Sequence, residues 1–189
     1  MNSENRQAIS NENSSVESIY IVSGMPHILL APDQSPGWRS LHDSYSHIRR
    51  ELENSKANMI LYFSTQWLSV LGYMFQGAAE PAWEHVDPNW YEFGSMKYQF
   101  KVDTEFAKRY ATSVSQLGHH TKVVDYEGFP IDTGTIVAQK FLNPDNRLPA
   151  AMVSCNIYSE KEEMLAVGQA AWDTLRQLGR RAIVVLVSN

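Results

Sequence analysis

The side chains able to do chemistry are few, and most fall where an apolar run gives way to a loop. His27 follows Pro26, directly after the run at residues 19–22 and the Ser23-Gly24 turn signal. A strand that feeds a stiffened loop carrying one imidazole is how an α/β protein presents a group at the carboxyl edge of its sheet, where such folds bind ligands. The same residue also reads as an ordinary loop histidine bonded to backbone. Gln66 ends the second apolar run, in Ser64-Thr65-Gln66-Trp67, and reaches the same edge. His85 and Asp87 lie in the aromatic stretch WEHVDPNWYEFG, residues 83–94, with Trp90 and Tyr91. Aromatics in an irregular segment form a pocket wall, an interface, or a loop pinned to the core.

The remaining histidines read as non-functional. His42 and His47 are five apart on one predicted helix, so they do not share a face as paired metal ligands would. His119 and His120 are adjacent and diverge, and a position just past a helix C-terminus favours them electrostatically anyway. The lone cysteine, Cys155, has no internal disulfide partner, which fits a reducing cytosol.

These groups are positioned by an alternation of strands and helices. The run at 19–22 predicts a strand buried on both faces. A helix is expected from Ser40, capped by Ser40 with Asp43, burying Leu41, Tyr45, Ile48 and Leu52. Residues 58–64 predict a second buried strand, completing a βαβ unit. Gly72, Gly77 and Pro81 break up the next segment, and residues 83–94 show no helical or strand period. Residues 97–102 alternate as a half-buried strand, and Asp103 caps a helix that ends at Gly118. Another strand is expected at 122–126. The run Asp132-Thr133-Gly134-Thr135 opens another helix, and residues 150–155 form a strand. Ser159 and Glu162 read as a capping box for a helix facing inward through Met164, Gly168, Ala171, Trp172, Leu175 and Leu178. Residues 182–187, AIVVLV, read as a central strand. Only Ser188 and Asn189 come after it, so the chain reads as cut at the edge of its own site.

The expectation is an α/β fold of a single domain at residues 18–189, incomplete at its C-terminal end. It has a mostly parallel or mixed central sheet with helices on both faces, preceded by a disordered polar tail at residues 1–17. A chain of 189 residues with 43% hydrophobic and 20% charged residues is globular in composition. A net charge of −5 without a Lys/Arg cluster argues against nucleic acid as a partner. No apolar run reaches bilayer-spanning length and no signal-peptide core is visible, so no membrane partner and a cytoplasmic location are expected.

In this order the elements resemble class III (LigB-type) extradiol ring-cleavage dioxygenases. Within that family they are most similar to the two related subunits of 2-aminophenol 1,6-dioxygenases, in particular the alpha subunit that carries no iron. The likeness rests on PHILLAP, the strand ending STQW, HVDPNWYEFG followed by KYQFKVDTEFA, the FPIDTGT loop, PAAMVSCNIYS and RRAIVVLVSN. It implies a non-haem Fe(II) site of two histidines and one carboxylate, with open positions for a chelating aromatic and O₂. By the resemblance His27 matches the first ligand, and Gln66 takes the place of the second. The proton-transferring histidine and the carboxylate ligand would lie after Asn189. Asp132-Thr133-Gly134 stands where the family often has Asp-His-Gly. The resemblance therefore implies a pocket of Gln66, His85, Trp90, Tyr91, Asp132 and Thr133 and no catalytic residue of its own.

The resemblance leaves three readings. The chain is the structural partner of a homologous iron-bearing subunit, in an α2β2 assembly that opens small aromatic rings of the 2-aminophenol or catechol type. In that case Fe(II) belongs to the complex, this chain binds none tightly, and alone it is inactive. Or it is a C-terminally truncated catalytic subunit. Or it is a non-enzymatic protein that binds an aromatic ligand or acts as a scaffold on the same fold.

Overall fold

The computed structural model describes residues 15–188. The strands are β1 (Val16–Ser23), β2 (Met59–Ser69), β3 (Tyr73–Gln76), β4 (Ala82–Val86), β5 (Ser95–Gln99), β6 (Thr121–Val124), β7 (Ala150–Asn156) and β8 (Ala182–Ser188). The helices are α1 (Pro26–Leu30), α2 (Pro36–Asn54), α3 (Thr104–Gln116), α4 (Thr133–Leu142) and α5 (Lys161–Gln177). Among the described residues six strands form one sheet in the order β1-β8-β2-β7-β3-β6, and β4 and β5 pair as a separate hairpin. Strands β1, β8, β2 and β7 run parallel, β3 is antiparallel to β7, and β6 is parallel to β3. The mixed α/β sheet expected from the sequence is therefore present.

Period-two alternation sends each central strand's side chains into two cores. Ile60 and Tyr62 of β2, with Ile183 and Val185 of β8, pack beneath α2 and α4 against Tyr45, Leu52, Ile136 and Leu142. Met59 and Leu61, with Val184, pack on the other side against Phe106 and Tyr110 of α3 and Val167 and Leu175 of α5. Strand β8 lies between β1 and β2, which accounts for its uninterrupted apolar sequence.

Local chemistry moved several boundaries. Helix α2 starts at Pro36, because proline suits the first helical position and Ser35 caps it by accepting from the Trp38 N–H. His27 lies not on a loop but on α1, a short helix with Pro26 at its start. Strand β1 is an edge strand, so Val22 is buried while Ile19 and Ile21 are 63% and 76% exposed. Strand β3, unanticipated, runs between Gly72 and Gly77, and β4 emerges from the aromatic stretch because it pairs with β5. Helix α5 begins after Glu160 with no side-chain cap; Ser159 instead donates to Glu163. Its inner face is Val167, Ala170, Ala171, Thr174 and Leu175, leaving Met164 exposed. Of the tail expected at residues 1–17, residues 1–14 lie outside the described residues, and β1 already begins at Val16.

The three most deeply buried phenols each donate a hydrogen bond. Tyr62 donates to Gln139 Oε1 at 2.9 Å, Tyr110 to the Val167 carbonyl at 2.9 Å, and Tyr45 to the Ser23 carbonyl at 2.7 Å. Burial raises the pKa of all three above the ordinary tyrosine value. The folded state thus holds these protons more tightly than the unfolded chain. Their contribution is intact below about pH 10, the unfolded value, and is lost as pH rises above it. An alkaline titration is expected to show exposed tyrosines ionising first and these three ionising only with cooperative unfolding, read by tyrosinate absorbance against far-UV circular dichroism.

Candidate functional site

The carboxyl ends of β1, β2 and β8 meet the start of α4, and one side chain joins them. Gln66 Nε2 donates to the Gly24 carbonyl at 3.3 Å, and Gln66 Oε1 accepts from the Gly134 N–H at 2.8 Å. The Gly24 N–H is itself bonded to the Ser188 carbonyl at 2.8 Å. The approach requires glycine at both backbone positions. A Cβ on Gly24 would lie 2.5 Å from the Gly134 Cα, and one on Gly134 would lie 2.8 Å from Val187 Cγ1.

Asp132 caps α4, accepting from the Thr135 N–H at 2.9 Å, the Thr135 hydroxyl at 2.7 Å and the Ser64 hydroxyl at 2.6 Å. This places the carboxylate at the positive end of the helix and ties β2 to α4. The next residue, Thr133, donates its hydroxyl proton to buried Asp87, whose other oxygen accepts from the Asn89 N–H at 2.8 Å. His85 Nε2 lies 2.9 Å from the same hydroxyl oxygen. The line Asp87–Thr133–His85 therefore binds the β4 hairpin to α4.

A cavity of about 470 Å³ opens over these groups, within the range of small-molecule sites. Of the residues expected in the pocket, Gln66, His85, Trp90, Asp132 and Thr133 line it. Tyr91 does not, and is 73% exposed. The sequence reading missed two walls, Trp67 and Phe129, whose rings lie 5.7 Å apart, and the part played by Asp87. The signals for them were the place of Trp67 in STQW, of Phe129 in the FPIDTGT loop and of Asp87 in the aromatic stretch at residues 83–94.

His27 sits apart from the cavity lining, in an aromatic cage. Its ring stacks on Trp38 at 5.1 Å and meets Trp90 and Phe93 edge-on at 5.5 and 4.9 Å. Its Nδ1 is buried without a protein partner. Through this cage His27 supports the Trp90 wall.

A family model described as the catalytic LigB subunit of aromatic ring-opening dioxygenase matches residues 18–188. The chain belongs to the LigB family. This LigB-type chain is 32% identical over 175 residues to a 2-aminophenol 1,6-dioxygenase alpha subunit from Pseudomonas sp, an alignment covering 92% of this chain and 64% of that one. It is 26% identical over 191 residues to a beta subunit of the same description from Pseudomonas sp, covering 94% and 62%. The chain thus spans less than two thirds of the length of these curated relatives. An uncharacterized protein of Escherichia coli K12 shares the fold, with a TM-score of 0.56 at 13% identity over 77% of this chain and 52% of that one.

The LigB resemblance implies Fe(II), but the donors around this cavity do not suit it. Ferrous sites of this type use two imidazoles and a carboxylate. Here the amide at residue 66 is engaged on both sides by backbone, Asp132 already accepts three hydrogen bonds, and both Asp87 oxygens are taken. Among the described residues no three of His, Cys, Asp and Glu are grouped to hold a metal. Cys155 is not in the cavity lining, and burial, then the Asp132 charge, push its thiol above the ordinary pKa, which disfavours the thiolate.

Two substitutions separate a packing role from a ligand role at this edge. Gln66→Ala is expected to cost about 1–3 kcal/mol, because it leaves the Gly134 N–H and the Gly24 carbonyl short of a partner. His27→Phe keeps the ring packing and removes an unpartnered nitrogen, so its stability should be no lower than wild type. Urea unfolding of both variants checks this. A large loss for His27→Phe would contradict the cage reading.

Proposed function

We propose that this chain is the iron-free partner subunit of an aromatic ring-cleaving dioxygenase acting on 2-aminophenol-type or catechol-type rings. The observation that carries the reading is the Gln66 amide, bonded to the Gly24 and Gly134 backbones where the resemblance puts an iron-binding histidine. Two features support a role through association. The relatives bearing the names alpha and beta subunit are both similar to this chain, as expected when a duplicated homodimer diverges into unlike partners. The edge strand β1 also exposes Ile19 and Ile21, an apolar edge that favours cover by another polypeptide.

On this reading ring opening, O₂ and Fe(II) belong to the partner's site, and an α2β2 assembly is the expected form. This chain's own residues keep the fold and present the surface. The Gln66 amide fixes the sheet edge without a metal, and the Asp132 cap and the Asp87–Thr133–His85 line hold α4 and the hairpin in register. No helix among the described residues is long and apolar enough to cross a membrane.

Co-expression with a homologous beta-type subunit tests the proposal. The two chains are expected to co-elute on size exclusion at one stoichiometry. Ring cleavage of 2-aminophenol should appear only in the complex and survive Gln66→Glu in this chain. Ring cleavage by this chain alone, or failure to associate at micromolar concentrations, would overturn it.

A further inference from the structure

The cavity over Gln66 is lined by an imidazole that the fold bonds on one side, that of His85. Thr133 has a single hydroxyl proton, and it goes to Asp87. Toward His85 the Thr133 oxygen can therefore only accept, so Nε2 of His85 carries hydrogen. The neutral imidazole then has its lone pair on Nδ1. That atom makes no protein hydrogen bond among the described residues and is not among the buried unpartnered atoms. Asp87 is held in turn by the Asn89 N–H, so the line from backbone to imidazole has a defined direction. The cavity that His85 lines is walled by the flat apolar groups of Trp67, Trp90, Phe129, Pro88 and Pro130, with Thr65 and Asn89 among its polar lining.

We infer that this cavity is a metal-independent binding site for a planar aromatic molecule bearing a single hydrogen-bond donor, which His85 Nδ1 accepts while Trp67, Trp90 and Phe129 pack against the ring. The inference rests on the iron-free reading above and adds a ligand class to it. Chelation by a metal selects rings with two adjacent heteroatoms. An imidazole acceptor needs one O–H or N–H, so a simple phenol satisfies it as fully as an ortho-substituted one. The volume of about 470 Å³ admits a one-ring or two-ring molecule. Besides tying the hairpin to α4, Thr133 and Asp87 are positioning residues for the ligand, through the His85 tautomer that they fix.

An NMR titration of the ¹⁵N-labelled chain, following Trp indole and His imidazole nitrogens, tests this with phenol, 2-aminophenol and anisole in the presence of a chelator. Anisole keeps the ring but lacks the donor. Phenol and 2-aminophenol are expected to saturate with affinities within a few-fold of each other, shifting Trp67, Trp90 and His85. Anisole should bind about tenfold more weakly, the loss of one net hydrogen bond. His85→Phe should weaken phenol by a similar factor and leave anisole unchanged. In the free protein, His85 nitrogens should report the Nε2–H tautomer. Thr133→Val should mix the tautomers and weaken phenol, and Thr133→Ser should restore both, which a merely structural role for Thr133 would not produce. Equal binding of anisole and phenol, or no saturable binding, overturns the inference while leaving the iron-free reading intact. Phenol binding that requires added Fe(II) and vanishes with chelator overturns both.

Discussion

Two backbone groups from distant parts of the chain, the Gly24 carbonyl and the Gly134 N–H, meet on one side-chain amide, and the carboxyl edge of the sheet depends on that meeting. An amide is suited to the task because it offers one donor and one acceptor in a plane, and here each faces the complementary backbone group. A metal would require charge and two further donors at the same place. The bridge requires instead that both backbones come close, and a Cβ on either glycine would collide with its neighbours. Glycine at 24 and 134 and glutamine at 66 thus form one unit.

The geometry around the cavity derives from that unit. Gly134 adjoins Thr133, and Thr133 is where the hairpin's His85 and Asp87 converge. The Asp132 cap fixes the first turn of α4 from the other side and ties it to Ser64 on β2. His27 contributes at one remove, through the aromatic cage that backs Trp90. A LigB-type sheet edge is here held by neutral hydrogen bonds and caps, with its carboxylates turned inward to hydroxyls and backbone N–H groups.

The inner strands β2 and β8 of the central sheet were legible in the sequence because burial on two faces leaves long apolar runs, as in residues 59–63 and 182–187. The caps at Asp103 and Asp132 were legible because a carboxylate before a helix has one economical use. Strand β3 was hidden by the glycines at its ends, and β4 by exposed residues that acquire strand geometry only on pairing with β5. For β1 the run of apolar residues concealed an edge position, since sequence records hydrophobicity and not which neighbours arrive to cover it. The pocket group was mostly visible as residue types at loop positions. Their mutual bonding was not visible, because the Gln66 bridge and the Asp87–Thr133–His85 line join residues separated by 42 to 68 positions. His27 was the most conspicuous chemical group in the sequence, and its aromatic surroundings come from other segments of the chain.

The most direct test of the central claim is anaerobic Fe(II) binding to the isolated chain, scored as iron retained per chain after desalting. The account predicts far less than one iron per chain in the wild type, and no recovery in Gln66→His, because Gly24 and Asp132 still supply no open donor. Near-stoichiometric iron in the wild type would contradict it, and would mean that the amide yields to a metal site assembled from other groups.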